Sequence, residues 1–361
     1  MYLYCRKPVL NLTIDGKNYT LTGQIVVDGV GRSSGTETLT ITNINFLLAA
    51  DQLTGSWKSA DAFVCFPSTK SSGTPWYYGT TGTGDHFNYG HNVTVSNCTM
   101  DATGGETEMA GVKCPSQAAF NITLDNVTIS NAHSLAQFTS TEGITITNCT
   151  ATTNMYHGIS VTGGNNHTVN ISGNKITVYD DYGIRVKGAG IKNVTLSNDT
   201  VNAPNAIVLN NTTAGNTVDI TSGQYIGTTS CITPGSNTDI TTSGGTYSSD
   251  VTPDVPEGYR VVNNGNGTWT VELIVVARIG TTDYTTLNAA AAAVPVGTPT
   301  TIEILENLNF YDIAQSNIQN KTITFTGTAT DTLTLTNAAH PQTNASGADL
   351  TFENITLKRH Y

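Results

Sequence analysis

"NVTVSN" at residues 92–97 returns as "NITLDN" (121–126), "GITITN" (143–148), "VNISGN" (169–174) and "NVTLSN" (193–198). In every copy the apolar residues alternate, as Val93/Val95, Ile122/Leu124, Ile144/Ile146, Val169/Ile171 and Val194/Leu196, so each phrase is a short strand with one apolar face. The closing Asn recurs after 29, 22, 26 and 24 residues, and "VDITSG" (218–223) and "DITTSG" (239–244) continue the series in weaker form. A second phrase keeps step with it: "AGVKC" (110–114), "SLAQF" (134–138), "GISV" (158–161), "GIRV" (183–186) and "AIVL" (206–209). Strands this short cannot bury a face alone. Stacking near-identical coils in register, ~4.8 Å apart, does it for them. The expected fold is therefore an all-β solenoid of parallel coils, with Asn126, Asn148, Asn174 and Asn198 forming a ladder whose amides bond to one another and to the bend backbone.

At these residues the chain resembles the right-handed parallel β-helices of the pectate-lyase-like superfamily. The resemblance implies that the Asn ladder marks the bend between the second and third sheets. It makes the "NVTVS" strands second-sheet and the Gly-Ile-x-Val strands first-sheet. The pattern is strong over residues 90–250 and weaker over 9–68, where "LNLTIDG" and "LTITNIN" are expected to be earlier coils. Thr-rich parallel coils also occur in ice-binding solenoids, but no Thr-x-Thr is expected here at one fixed position per coil.

Residues 1–250 are thus expected to form one β-helix, with an insertion at 69–90. Residues 251–275 form a linker, in which "YRVVNNGNGTWTVE" carries the Asn-Gly signal of a β-hairpin. A helix is expected over 281–294, rich in Ala and stopped by Pro295, and strands follow it, so residues 276–361 are expected to begin a second, helix-capped β-helix. The linker phrase resembles modules of large, repetitive surface proteins of anaerobic bacteria. The first residues lack the apolar run of a signal peptide and the second cylinder is incomplete, so the expectation is a piece of a longer chain, extracellular or at a cell surface, with signal and anchor elsewhere.

Charged residues make up 12% of the chain, against about 25% in an average domain, and the formal net charge is −11. Nucleic acid is excluded as a partner, because the 16 Lys and Arg are scattered and not clustered against phosphates. No apolar run is long enough to span a membrane. The six cysteines show no C-x-x-C pair and no zinc-ligand spacing, and Cys98 and Cys149 share one repeat position, so free buried thiols are expected. Asn-x-Ser/Thr triplets recur at Asn92, Asn97, Asn121, Asn126, Asn148, Asn193 and Asn198; the coil pattern generates them, and laddered Asn side chains are expected to be too buried for glycosylation.

Candidate chemistry gathers beside the Gly-Ile-x-Val phrase. The residues just before its Gly or Ser are Ala110, His133, His157, Tyr182 and Asn205, and the outward positions within it are Lys113, Ala136, Ser160, Arg185 and Val208. Tyr156, Asp180, Asp181 and Lys187 lie alongside, giving the densest set of titratable groups in a chain otherwise poor in them. A hydrolase needs two carboxylates ~5 to 9 Å apart; Asp180 or Asp181 supplies one, and neighbouring coils offer no clear second. A lyase needs a base beside a uronate carboxylate and a cation for the resulting anion, for which His157, Arg185 and Lys187 are the right types and Ca²⁺ a candidate cofactor. The Arg-containing and multi-Asp calcium motifs of pectate lyases are absent, as are the Asn-Thr-Asp and Gly-His-Gly signatures of polygalacturonases. Trp76, Tyr77 and Tyr78, in the 69–90 insertion with Phe87 and Tyr89, are candidates to stack on sugar rings. Lys113, His133, Tyr156 and Tyr182 complete a candidate groove for a polysaccharide or host glycan. Three classes remain: a glycan-binding module, a polysaccharide lyase or glycoside hydrolase, and a structural stalk in which these residues only satisfy turn backbone.

Overall fold

The computed structural model describes residues 2–5, 11–29, 38–47, 62–65, 92–103, 109–114, 121–139, 143–153, 155–163, 167–188, 191–210, 215–236, 238–328, 331–336 and 346–360. The chain divides into two compact units, Met1–Pro256 with Val261–Glu272, and Glu257–Arg260 with Leu273–Tyr361.

The first unit is a parallel β-helix with three ladders. The first-sheet ladder runs Tyr2–Cys5, Ile25–Gly29, Ala62–Cys65, Ala110–Cys114, Ser134–Thr139, Ile159–Thr162 and Tyr182–Lys187, then through the later halves of Asp199–Asn210 and Gly223–Thr233. The second runs Asn11–Asp15, Thr38–Thr42, the first half of Asn92–Asp101, the first half of Asn121–Ser130, Gly143–Thr147, His167–Ser172, Ile191–Ser197, Asn216–Ile220 and Thr238–Thr242. The third ladder, from Thr20–Thr22 to Gly245–Tyr247, takes up the chain after each bend. Antiparallel pairing of Gly245–Tyr247 with Trp269–Leu273 follows the last parallel strand. The alternating residues from Val93/Val95 to Val194/Leu196 are all buried. Each contributes roughly 1.5–3 kcal/mol by leaving water.

The bend between second and third ladders requires one residue in the left-handed region. Asn43, Asn97, Asn126, Asn148 and Asn198 hold φ between 52° and 56° there, a conformation that costs other side chains about 1–2 kcal/mol. Asn174 does not belong to this ladder. Gly173 (φ 71°) takes the bend, paired between Asn148 and Asn198, and Asn174 turns into the core. Nor are the bend asparagines buried: Asn97, Asn126, Asn148 and Asn198 stand exposed outside the turn, so burial does not shield their triplets. Their bonds are local and mixed. Asn126 Nδ2 donates to Asn97 Oδ1 (2.9 Å), whereas Asn148 Nδ2 donates to Asp125 Oδ1 (2.9 Å).

Inside the bend a second column runs Cys98, Val127, Cys149, Asn174 and Asp199, apolar at first and then polar. Cys98 and Cys149 do share a position, Cys65, Cys98, Cys114, Cys149 and Cys231 are all buried, and Cys98, Cys149 and Cys231 are free thiols. Asp199 has no exposed surface. Its Oδ1 accepts from Asn174 N (2.9 Å) and Nδ2 (2.8 Å), its Oδ2 from the Tyr225 hydroxyl (3.4 Å), while Asn174 Oδ1 accepts from Cys149 N (2.9 Å). Burial pushes the Asp199 carboxyl up to about 6 from 3.8 despite these donors.

Pairing also reveals a threonine position that letter spacing hides. Thr13, Thr40, Thr94, Thr123 and Thr145 fall in one outward column, followed by Asn170, Thr195, Asp219 and Thr241. The column holds single threonines and not a repeated Thr-x-Thr, since Thr13, Thr94 and Thr123 are followed two residues on by Asp15, Ser96 and Asp125. β-Branched residues suit the outer face of a pleated sheet, which accounts for the column without a ligand.

In the second unit, Ala277–Ile279 pairs antiparallel with Thr282–Tyr284 and with Thr300–Ile304, which continues in parallel to Thr322–Thr326 and Asp349–Glu353. A second ladder runs Leu308–Asn309, Thr332–Thr336 and Thr356–His360. The helix is shorter than expected, Leu287–Ala293, because Thr282–Tyr284 is drawn into the sheet as an edge strand. Thr286 caps it by accepting from Ala289 N (3.1 Å), and Lys321 Nζ donates to the carbonyls of Ala291 (2.8 Å) and Ala292 (3.1 Å) at its other end. Leu287, Ala290 and Ala291 pack into a core with Ile302, Ile323 and Phe325.

Replacing Asn148 by Val is expected to destabilise the first unit in urea unfolding by about 1–2 kcal/mol more than Asn148→Gly does, because both variants lose the bond to Asp125 and only Val meets the left-handed φ with strain. Asp199 favours the folded state when protonated: its contribution is complete below pH 3.8 and is lost as pH rises through about 6, by roughly 3 kcal/mol. Asp199→Asn is expected to flatten the dependence of unfolding midpoint on pH across that window.

Candidate functional site

The glycine of the first-sheet phrase is fixed by the approach of neighbouring coils. A Cβ on Gly158 would lie 2.0 Å from Gly183 O, and one on Gly183 2.2 Å from Val201 Cγ1. With no side chain at those two positions the coils close directly, and the residues just before them are brought face to face. His157 and Tyr182 stack with ring centroids 4.4 Å apart and planes 7° from parallel.

The turns leading into the first sheet stack in the same manner. His157 N donates to His133 O (2.8 Å), Gly158 N to Tyr182 O (3.0 Å) and Asn205 N to Asp181 O (2.9 Å). On this backbone His133 meets His157 edge-on at 4.5 Å and stacks on Tyr156 at 5.6 Å, and Tyr156 meets Tyr179 at 4.8 Å. The Arg185 guanidinium lies 4.3 Å from the Tyr182 ring centroid and donates through a terminal nitrogen to Ser160 Oγ (3.1 Å). His157 Nε2 lies 3.4 Å from Asp181 Oδ2, with side chains 19% and 48% exposed. Tyr179 is 57% exposed and forms the open end of the strip.

His133, Tyr156, His157, Asp181, Tyr182 and Arg185 are thereby assembled in one place. Tyr182 differs from expectation, since it is buried in the stack and does not line the outer face. Asp180 stands exposed and adds its charge near His157. Lys187 is exposed one outward position beyond Arg185. The outward column is Lys113, Gln137, Ser160, Arg185 and Val208, so Gln137 and not Ala136 occupies it, and Ala110 pairs with Ser134 and not with His133. Gln137 Nε2 donates to Ser134 Oγ (2.9 Å) and lies 3.4 Å from His133 Nδ1. The slip arises because "SLAQF" aligns by its buried Ala136 and Phe138. Gln137 and Tyr179 are the residues that the letters did not single out; Tyr179 is one coil past Tyr156, a signal available from the repeat. Trp76, Tyr77, Tyr78, Phe87 and Tyr89 lie outside the described residues.

Burial holds the His157 imidazole below the ordinary 6.5, and the Arg185 charge works in the same direction; Asp181 and Asp180 oppose them. Burial raises the Tyr182 phenol, with Ser160 and Arg185 opposing. Two nitrogens of the strip, His157 Nδ1 and Arg185 Nε, are sealed from solvent without a hydrogen-bond partner. Each such group carries a cost of about 1–3 kcal/mol that the stack itself does not recover. Among the described residues, no group of three or more His, Cys, Asp or Glu is placed to hold a metal ion. Among them also, no helix is long and apolar enough to cross a membrane.

A family model described as a right handed beta helix region matches residues 77–223, which contain this strip. Comparison with curated proteins and with solved structures returned no match. The fold is a right-handed parallel β-helix, and the comparison carries no activity.

His157 is expected to titrate below 6.5 in an NMR pH series, and further below it in Asp181→Asn, since Asp181 is the group that raises it. A shift upward in that variant would mean that the Nε2–Asp181 contact does not govern the imidazole.

Proposed function

We infer that this chain is a secreted or cell-surface β-helix module, of the pectate-lyase-like kind found in large repetitive surface proteins of anaerobic bacteria, that binds a polysaccharide or host glycan. The observation that supports it most is the strip itself: in a chain with few charges and few aromatics, two histidines, three tyrosines, an arginine and an aspartate converge on one turn edge of the first sheet. Amphipathic rings with polar rims and a few directed hydrogen-bonding groups are what sugar recognition uses. Lys113 and Gln137 extend the strip toward the chain's start. Trp76, Tyr77 and Tyr78 belong to the same proposal by sequence, since the insertion that carries them follows the first-sheet strand Ala62–Cys65. The second unit is proposed as another, helix-capped β-helix, joined through the hairpin-like "NNGNGT" segment.

Catalysis is favoured as a second possibility by one observation, the His157–Asp181 pair, which has the composition of a base and its orienting carboxylate. Arg185, on the coil of Asp181, is proposed to meet developing negative charge, with Asp180 and Lys187 at the rim. Ca²⁺ enters this proposal as a cofactor to be supplied in the assay.

The test is a glycan-array screen of the full chain, followed by product analysis of each bound glycan with and without Ca²⁺. Retention of a glycan that weakens about tenfold in Tyr156→Ala and Tyr179→Ala, roughly 1.4 kcal/mol, is the expected result. Shortened or unsaturated products that vanish in His157→Ala would convert the module into an enzyme. No retention and no products would leave a structural stalk.

A further inference from the structure

Of the polar groups in the strip, the sealed nitrogens of His157 and Arg185 say most about what it takes. His157 presents Nε2 to the Asp181 carboxylate at 3.4 Å. A neutral imidazole in that position keeps its proton on Nε2, where the carboxylate accepts it, and leaves Nδ1 as a bare acceptor. Arg185 directs a terminal nitrogen to Ser160 and leaves its Nε–H as a bare donor. The two residues lie on adjacent coils, and Ser160, which accepts from Arg185 and sits in its column, follows His157 by three residues on the same coil. One unpaired acceptor and one unpaired donor are complemented by a group that both donates and accepts. Among sugar substituents a hydroxyl does both at a single oxygen atom.

A carboxylate is the wrong complement. It can accept from Arg185 Nε but has no proton for His157 Nδ1, and it would approach Asp181 at the imidazole's other nitrogen and Asp180 beside it. Lys187, the nearest further cation in sequence, is exposed, where its charge is screened. We propose that the strip is selective for neutral, hydroxyl-bearing glycans, with one sugar hydroxyl donating to His157 Nδ1 and accepting from Arg185 Nε. This rests on the glycan-binding function above and adds the class of sugar. Both nitrogens are covered, while His157 and half-buried Arg185 each reach solvent at other atoms.

The experiment compares, on the full chain, the glycans retained on the array with matched probes: polygalacturonate, alginate and glucuronoxylan oligomers, each beside its carboxyl-reduced form. The expected result is retention of neutral members at least tenfold tighter than their acidic counterparts. His157→Phe keeps the ring stack but removes both nitrogens, and Arg185→Met keeps the stem but removes the donor; each is expected to lose about tenfold for neutral glycans. In ¹⁵N-resolved NMR of the unbound chain, His157 is expected to carry its proton on Nε2, and its Nδ1 resonance to move when a neutral glycan is added. Equal or tighter retention of acidic members, or a proton found on Nδ1, overturns the selectivity while leaving glycan binding intact. Failure to retain any glycan removes both. Should His157→Phe fold poorly, the NMR assignment of the tautomer in the unaltered chain decides the matter.

Discussion

Every feature of the first unit depends on parallel backbone pairing between one coil and the next. A strand of four or five residues has too little apolar surface to stay folded alone, and only the ~4.8 Å stacking turns its alternating face into a continuous core. Register matters more here than length. A slip of one residue would send Val93, Ile122 and Ile144 to the outside and expose the whole column at once. The in-register ladders on three sides prevent that, and the bend residues keep each coil the right length for its neighbours.

The bend shows how one geometric demand selects different residues. A left-handed φ is required once per coil, and Asn or Gly meets it with little strain. Where Gly173 supplies it, the following Asn174 is released into the core, and Asp199 and Tyr225 on later coils complete a buried polar column. That column satisfies most of its groups but holds a carboxylate away from water, which is why the protonated form suits the fold. Buried polar groups of this kind restrict register, since only one alignment pairs Asn174 with Asp199.

The strip beside the first sheet is a product of the same stacking. Gly158 and Gly183 let two coils close, and the closure stacks His157 on Tyr182 and brings Arg185 to Ser160. Ring faces are largely occupied by one another, so ring edges, hydroxyls and the exposed Tyr179 are what the strip offers outward. For the proposed glycan-binding function, directed hydrogen bonds therefore suit the strip better than open aromatic platforms.

Much of this was written in the letters, because a solenoid converts sequence period directly into space. The alternating apolar pairs, the Asn-terminated strands, the shared position of Cys98 and Cys149 and the convergence of His133, His157, Asp181 and Arg185 all follow from counting coils. Counting failed where coils differ in length or where two residues compete for one role. Asn174 and Gly173 both fit the bend, and the separation of 25 residues between Cys149, Asn174 and Asp199 places Asn174 inside. In "SLAQF" the outward place belongs to Gln137, which only the strand pairing reveals. The sequence by itself determined the class of fold, the order of coils and which residue types share an edge. Only the tertiary structure decided which side chains are buried, which nitrogen of His157 faces a carboxylate and which polar atoms stay unpaired, because those depend on distances of a few tenths of an ångström between coils and not on spacing along the chain.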